Sequence, residues 1–589
     1  MEMDILKHLE LCESILHKIY DLPKSGSLLI LNEFCAEFSK CCIKLHKIII
    51  EIMFLCLYQI ISCVNYLEKT IKMERISNSI LSLTRKFFVD RILWCFVKMK
   101  SLTNSMNDNT FPKILDETSF IVLIDTALEL LVPYSKYGEE NCDESTPREK
   151  FQTKIACQQL RTAIDKLIGQ SLAFANVAQS CDKKVINSLC QKVLKDCIDF
   201  QNECDFSSTE KQLLTQKNIR LKSLVVENAI YKLEDFINES LLKLFFFVFT
   251  DLENNSVRNI RKSIKENPKD KKIDDMIADF DINVDRLIQI GTFALTFAPN
   301  SKVKTNVRNS LASLESLDSY LVPSLYSKCD FNFAILEEHF LEEVEKLKKS
   351  LQTIVETDAL TESYLNILSE ILEKNQFDLK DFTNITQMAN LLIEHIELNE
   401  SELKLEDDHE KNEKYNKFKL MANECSAILT CADQVEPKRI LKRFKIMKSC
   451  LEKFKIILNK GSDISTKSKY EQIFITSEEL AESQKMFESL GISPTIKSIL
   501  YKNKKLNMTE SLIGQCSRQL SFDSSYSETT IKTPEMKKLK RKISLRTAMF
   551  KRQTSEETKK MHKIFDENSM NLEISDILDQ ITGLSSSFG

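Results

Sequence analysis

The chain has very little glycine and proline, with only 9 and 10 residues among 589. Sheets need frequent turns, which these two residues commonly form, whereas long helices need neither. Hydrophobic residues make up 43% of the chain and charged residues 29%, which is enough apolar surface for packed cores. The scarcity of glycine and proline therefore predicts an all-α protein. Because 589 residues exceed what one core usually organises, we also expect several packed units.

The few glycines are never clustered, since no two of them are closer than six positions in the sequence. A phosphate-binding loop needs clustered glycines so that backbone N–H groups can approach the anion, which excludes the Walker A and Rossmann motifs. None of the seven histidines forms an i, i+4 pair, and no Gly-x-Ser-x-Gly elbow occurs. We therefore predict that the protein is not an enzyme and has no cofactor or metal.

The cysteines do not predict disulfides or a zinc site. The N-terminus lacks a basic region followed by an apolar stretch, so we expect no signal peptide and 18 reduced cysteines in the cytoplasm. Cys190, Cys197 and Cys204 share a helix face, but residues seven apart are separated by about 10.5 Å of helical rise and cannot bind one ion. We expect these side chains to pack as small apolar groups.

The longest apolar run is Ile48 to Val64, which Glu51 and Gln59 interrupt. It is shorter than the roughly 20 apolar residues that cross a bilayer. A helix buried on most sides in a bundle fits this pattern better than a membrane span, and the sequence leaves both open.

Helical periodicity begins at once, with Ile5, Leu9, Cys12, Leu16 and Ile19 forming one stripe. Further helical patterns are expected at 76–100 and 114–137. Two polar breaks containing glycine or proline and an acidic break at 397–413 divide the chain into tandem antiparallel helical bundles. The predicted regions are an N-terminal bundle at 1–138, a second at 148–268, a third at 272–396, further helices at 414–506, and a flexible tail at 507–589.

The stretch from Ile290 to Tyr326 predicts a helical hairpin. Gly291 is small enough to let a neighbouring helix approach, Pro299 ends the first helix, and Asn300 or Ser301 can cap the second. Pro323 should bend the last turns of the second helix. The apolar positions expected to be buried there are Val303, Val307, Leu311, Leu314, Leu317, Leu321 and Leu325.

These residues also resemble a family. Gly-Thr-Phe-Ala at 291–294, then Arg-Asn-Ser-Leu-Ala-Ser-Leu-Glu-Ser-Leu at 308–317, and the proline at 323 are similar to a middle-region hairpin of the α-catenin/vinculin superfamily. Within it, the chain most resembles the insect serendipity locus protein alpha group. The resemblance covers about a tenth of the chain and carries over no binding residue.

The resemblance implies tandem four- or five-helix bundles and a non-enzymatic scaffold linking or organising cortical actin at the plasma membrane. In that group, the role is in membrane invagination during cellularisation of the insect embryo. It implies actin filaments as partners, directly or indirectly, a catenin-type partner for the N-terminal helices, and the cytoplasm and inner face of the plasma membrane as location. An α-helical tether in membrane trafficking and a nuclear protein remain the alternatives.

A basic segment at 532–552 holds nine Lys or Arg and one Glu in a chain of net charge −4. Its pattern predicts a basic amphipathic helix for an anionic inner-leaflet surface or an actin filament, or alternatively a solvated linker or a nuclear import signal; we expect no nucleic-acid partner. Ser544 follows Arg541 by three and is a candidate phosphorylation site whose charge would weaken attachment. The candidate binding residues are Lys537, Lys538, Lys540, Arg541, Lys542 and Arg546.

Overall fold

The structure is a computed structural model, and it describes residues 2–21, 27–45, 51–107, 120–135, 147–206, 212–254, 256–268, 270, 272–295, 298, 300–374 and 378–458. Every regular element in these ranges is a helix, which confirms the all-α prediction of tandem antiparallel bundles. The basic segment at 532–552 and all of its candidate residues lie outside the described ranges, as does Pro299.

The helices are mostly long. Their bounds are α1 Glu2–Asp21, α2 Ser27–Leu45, α3 Glu51–Ser77, α4 Ser82–Asn107, α5 Phe120–Ser135, α6 Pro147–Val177, α7 Ser180–Phe206, α8 Gln212–Asn254, α9 Val257–Glu266, α10 Lys272–Ala294, α11 Ser301–Ser324, α12 Asp330–Ile354, α13 Thr357–Glu373, α14 Leu379–Leu398, α15 Glu400–Leu403, α16 His409–Thr430 and α17 Pro437–Leu458.

The described residues fall into two compact units. The first holds 2–107 and 239–458, and the second holds 120–238, so that α8 contributes its first part to the second unit and its last part to the first. This division groups the helices differently from the five consecutive regions expected from the sequence, whose boundaries stay a prediction.

The second unit is built on the antiparallel helices α5, α6 and α7. Tyr134 of α5 packs edge-on against Phe200 of α7 at 5.1 Å, and Gln201 of α7 donates a hydrogen bond to the Cys157 carbonyl of α6 at 3.0 Å. Cys190 and Cys197 are fully buried in this core, whereas Cys204 is half-buried. Burial raises the pKa of the Cys190 and Cys197 thiols to about 12, so both stay protonated at neutral pH.

The first unit starts with the bundle α1–α4, which buries the predicted N-terminal stripe completely. Its buried Arg85 touches all four helices, because the guanidinium pairs with Glu74 of α3 and donates hydrogen bonds to the Ile19 carbonyl (2.7 Å) and to the Ser27 hydroxyl (3.0 Å). Glu74 also accepts the Leu81 N–H at 2.7 Å, which holds the connection between α3 and α4. A buried charge with this many partners is costly to leave unpaired.

The predicted start of the helix at 76–100 is wrong. α3 continues to Ser77, and α4 begins only at Ser82. Between them Asn78 adopts a left-handed conformation with φ of 50°, which asparagine tolerates better than most residues, so the chain reverses there.

The predicted hairpin is confirmed as α10 and α11, with Asn300 as the cap of α11: its side chain accepts the Val303 N–H. Gly291 has the predicted role, since a Cβ there would lie 2.7 Å from a methyl carbon of Leu311. The apolar residues predicted along α11 are buried except Val303, which is half-buried. Pro323 lies in the last turn, and α11 ends one residue later.

The carbonyls at that helix end are satisfied by a side chain from α9. Arg261 donates to the Ser324 carbonyl at 2.7 Å and the Leu325 carbonyl at 3.2 Å, pairs with Asp330 at the start of α12, and lies 4.6 Å from the Phe333 ring centre. One arginine therefore closes the α11–α12 connection where the proline ends the helix.

The last part of the first unit is the bundle of α13, α14, α16 and α17. Tyr364 of α13 lies fully buried near its centre, where its hydroxyl donates to the Ile385 carbonyl at 3.2 Å and its ring packs 5.8 Å from Phe246 of α8. Phe382 of α14 packs 4.7 Å from Phe444 of α17. These contacts fix which face of α17 points outward.

We predict that Leu314→Asp destabilises the first unit by about 4 kcal/mol or more, because it places an unpaired carboxylate in a core where Leu314 is 1% exposed. Thermal unfolding followed by circular dichroism measures the effect. Ser319→Asp adds the same carboxylate at an exposed position of α11 and should change the unfolding temperature little. Equal unfolding temperatures for the two variants would contradict the packing of this hairpin.

We also predict that replacing Cys190, Cys197 and Cys204 together by Ala keeps the helical content and lowers stability only modestly, since small buried apolar groups are lost. Circular dichroism and metal analysis of the purified chain check this. Stoichiometric zinc in the original chain that disappears in the triple variant would refute the packing role.

Candidate functional site

The α3–α4 hairpin packs on the α11–α12 hairpin, and polar side chains meet there, most of them buried, Asp90 and Tyr320 half-buried and Glu342 exposed. We call this region the polar seam, and its members come from all four helices. They are Gln59 and Tyr66 of α3, Asp90 and Arg91 of α4, Asn309, Ser313 and Tyr320 of α11, and His339 and Glu342 of α12.

Gln59 is the centre of the seam. Its amide nitrogen donates to the Asn309 carbonyl and to the Ser313 hydroxyl, both at 3.0 Å. Its amide oxygen accepts from the Arg91 guanidinium at 3.1 Å, and the guanidinium also lies over the Trp94 ring at 4.7 Å. One buried glutamine therefore joins α3, α4 and α11, and breaking this group would leave buried donors unsatisfied.

An aromatic cluster extends the seam toward α12. The His339 ring lies 4.5 Å from the Tyr66 ring centre and 5.7 Å from that of Phe88, while Tyr66 and Phe88 stack on each other. The Tyr66 hydroxyl donates to the Glu342 carboxylate. Burial raises the Tyr66 pKa well above its usual value, so this phenol remains a donor.

His339 is enclosed, and its Nδ1 has no hydrogen-bond partner among the described residues. Burial, with the Lys346 ammonium nearby, lowers the pKa of His339 to about 3. The imidazole is therefore neutral at physiological pH and cannot exchange protons with a substrate there.

The edges of the seam carry further pairs between the hairpins. Tyr320 donates to Asp90 at 2.8 Å, and the Thr84 hydroxyl donates to the Asn332 side-chain oxygen at 2.6 Å. Lys69 pairs with Glu338 in an exposed position, where an ion pair contributes little to stability. The buried Thr84–Asn332 pair and the half-buried Tyr320–Asp90 pair favour one register of the two hairpins, and the exposed pair adds little to that choice.

This arrangement suits a helix–helix interface rather than a catalytic site. Tyr66 and His339 both stay neutral at physiological pH, because burial raises the pKa of the phenol and lowers the pKa of the imidazole. The donors of Gln59, Tyr66 and Tyr320 face acceptors on the opposing hairpin. In the described part of the chain, no group of three or more His, Cys, Asp or Glu could hold a metal ion. Within the same ranges, no helix has the length and hydropathy of a transmembrane span.

Sequence reasoning found only part of the seam. Gln59 was recognised as an interruption of an apolar run, and a lone amide within such a run is the signal that could have indicated a buried hydrogen bond. The sequence around His339 gave no comparable signal of burial, because an isolated histidine in an acidic helix is uninformative. The predicted site residues Lys537, Lys538, Lys540, Arg541, Lys542, Ser544 and Arg546 lie outside the described ranges.

A family model described as Serendipity locus alpha protein (SRY-A) matches residues 1–525. The Serendipity locus protein alpha of Drosophila pseudoobscura pseudoobscura is 33% identical over 484 residues, which cover 78% of this chain and 86% of that protein. The protein of the same name from Drosophila virilis is 30% identical over 543 residues, which cover 88% of this chain and 95% of that protein.

Two solved structures are also similar. A vinculin homolog from a sponge aligns with a TM-score of 0.49 at 12% identity, over 82% of this chain and 62% of that one, so the chain spans less than two thirds of its length. The HMP-1 M domain aligns with a TM-score of 0.38 at 12% identity, over 58% of this chain and 98% of that one.

The seam generates a pH prediction. Because His339 has a pKa of about 3 when folded and about 6.5 when unfolded, only the unfolded chain takes up this proton between those values. The contribution of His339 to stability is therefore fully present above about pH 6.5 and falls as the pH drops, by up to about 1.4 kcal/mol per pH unit. His339→Phe removes this titrating group, so the stability of the variant should fall less steeply as the pH drops.

Thermal unfolding of both proteins from about pH 7 to about pH 4.5 measures the difference, since all other titrating groups are shared. The unfolding temperature of His339→Phe should fall less steeply with decreasing pH. Parallel curves for the two proteins would show that His339 is not held neutral in the seam.

Proposed function

Because the chain belongs to the Serendipity locus alpha protein family, we propose that it is a scaffold that links or organises cortical actin filaments at the plasma membrane. Its proposed setting is membrane invagination during cellularisation of the insect embryo. The proposed location is the cytoplasm and the inner face of the plasma membrane, as a peripheral protein of the cell cortex.

The observation that carries this proposal is the family match over residues 1–525, which covers all described helices. Family membership and an architecture of helical bundles are consistent with a cytoskeletal adaptor of a non-enzymatic kind. The likeness of residues 291–294, 308–317 and 323 to an α-catenin and vinculin hairpin supports the same class. The polar seam supports it further, because a scaffold must hold its bundles in one arrangement while partners pull on them.

We also propose a catenin-type partner for the N-terminal helices. In the structure α11 and α12 cover part of α3 and α4, so α1 and α2 contribute much of the free surface of the N-terminal bundle. That surface carries three exposed aliphatic residues: Leu29 is 72% exposed, Ile43 is 62% exposed and Leu11 is 48% exposed. Exposed aliphatic side chains of this size are typical anchors for a partner helix.

The basic segment at 532–552 remains our proposed attachment to an anionic membrane or to actin. Its candidate residues Lys537, Lys538, Lys540, Arg541, Lys542 and Arg546 would each contribute about 1 kcal/mol near an anionic leaflet. Phosphorylation of Ser544 would cancel part of that charge and weaken attachment.

We predict that a tagged copy is enriched at the cortex and at furrow tips of early embryos, and that depolymerising actin disperses it. Live imaging before and after the treatment measures the ratio of cortical to cytoplasmic signal. The reason is that a scaffold bound to cortical filaments loses its attachment when the filaments disappear.

A membrane marker imaged in the same embryos provides the control, since its signal should persist when actin is depolymerised. A nuclear or endomembrane signal, or cortical enrichment that does not depend on actin, would contradict the proposed function.

A further inference from the structure

The last described helix, α17, carries an unusual excess of positive charge. It holds eight Lys or Arg and a single acidic residue, Glu452, over its 22 residues. Its apolar face is buried against α13, α16 and their neighbours, and it consists of Ile440, Phe444, Met447, Leu451, Phe454 and Ile457. The opposite face is therefore directed to solvent.

Four lysines lie along that outer face, and we call them the α17 stripe: Lys438, Lys442, Lys445 and Lys453. Steps of four, three and eight residues keep them on one side of the helix over about 22 Å. All four are exposed, and none has an ion-pair partner among the described residues.

The neighbouring carboxylates reach only the flanks of α17. Glu424 of α16 pairs with Arg443, Glu362 of α13 pairs with Lys455 at 3.2 Å, and Glu452 lies 3.8 Å from Lys448. Lysines elsewhere in the first unit do pair, such as Lys417 of α16 with Glu413 and Lys348 of α12 with Glu394. The central stripe is thus left uncompensated, while three of the four other basic residues of α17 are paired.

An uncompensated stripe is unfavourable for the protein alone, because like charges at i, i+3 and i, i+4 repel. Two bulky apolar side chains lie on the same outer side of α17 as the stripe: Ile456 is 62% exposed and Ile446 is 38% exposed. Lysines interleaved with aliphatic tips match a surface that presents phosphates above hydrocarbon. Nucleic acid is instead usually held with stacking aromatic rings, which this face lacks.

We propose that the α17 stripe is a second membrane-attachment surface, which docks on an anionic lipid leaflet through Lys438, Lys442, Lys445 and Lys453, with Ile446 and Ile456 entering the headgroup region. The choice of a membrane rests on the proposed function. The stripe adds to that function a membrane contact on a folded bundle, separate from the basic segment at 532–552. A membrane bound here lies along α17, since the four charges form one line.

The test is co-sedimentation of the full chain with vesicles of phosphatidylcholine containing phosphatidylserine, and with phosphatidylcholine alone. Replacing the four stripe lysines by Glu should weaken binding to the anionic vesicles about tenfold or more, because each basic residue near an anionic surface contributes to the free energy of binding. Replacing them by Gln should give a smaller loss in the same direction. Binding of the original chain should also weaken as salt is added.

The matched control reverses four exposed lysines outside α17, Lys18, Lys86, Lys302 and Lys328, and changes the net charge equally. Its vesicle binding should remain close to that of the original chain. Ile446→Ser with Ile456→Ser should weaken binding without changing its dependence on salt, since only the apolar contribution is lost. Circular dichroism of every variant checks that the helices persist, as expected for exposed positions.

Equal vesicle binding by the stripe variant and the scattered control would overturn the proposal. So would stripe-dependent sedimentation with actin filaments while binding to anionic vesicles is unchanged, because the occupant would then be an acidic protein. Neither result depends on whether the tagged chain responds to actin in embryos, so failure here is distinguishable from failure of the proposed function.

Discussion

Helix α3 is apolar around almost its whole circumference, and the arrangement of the first unit follows from that constraint. Ile60, Ile61, Cys63 and Val64 are consecutive or nearly so, point to different sides of the helix, and are all buried. One neighbouring bundle covers only one stripe of a helix, so α3 needs partners on two sides. The bundle with α1, α2 and α4 covers one side, and the α11–α12 hairpin covers the other.

Burying a helix on two sides creates a problem of register, because apolar surfaces alone slide against each other at little cost. Three buried polar groups solve it in different places. Gln59 joins the hairpins at the middle of the seam, Arg85 joins the four helices of the N-terminal bundle, and Arg261 closes the end of α11. Each is satisfied in one arrangement only, and any other leaves a buried donor or charge without a partner.

A contrast between compensated and uncompensated charge separates the buried arginines from the lysines of the α17 stripe. Arg85 and Arg261 are buried and fully paired, which is typical of groups that hold a fold together. The lysines of the α17 stripe are exposed and unpaired by any described carboxylate, which is typical of groups that meet an external anion. The scaffold that we propose requires both kinds, and the two kinds lie on different helices.

The sequence alone indicated the fold class, the stripe of α1, a close helix approach at Gly291 and a cap at Asn300 or Ser301, because each depends on composition or on residues close together in the sequence. The structure chose Asn300 as the cap and α11 as the approaching helix. The family resemblance of the α10–α11 hairpin was also readable from a short stretch. The seam was not, since Gln59 and Ser313 are 254 positions apart and only packing brings them within 3.0 Å. The neutral state of His339 was likewise decided by the tertiary structure, because burial lowers the pKa of its imidazole. The open face of α17 was decided in the same way, because the neighbouring helices cover its apolar side and leave its lysines exposed.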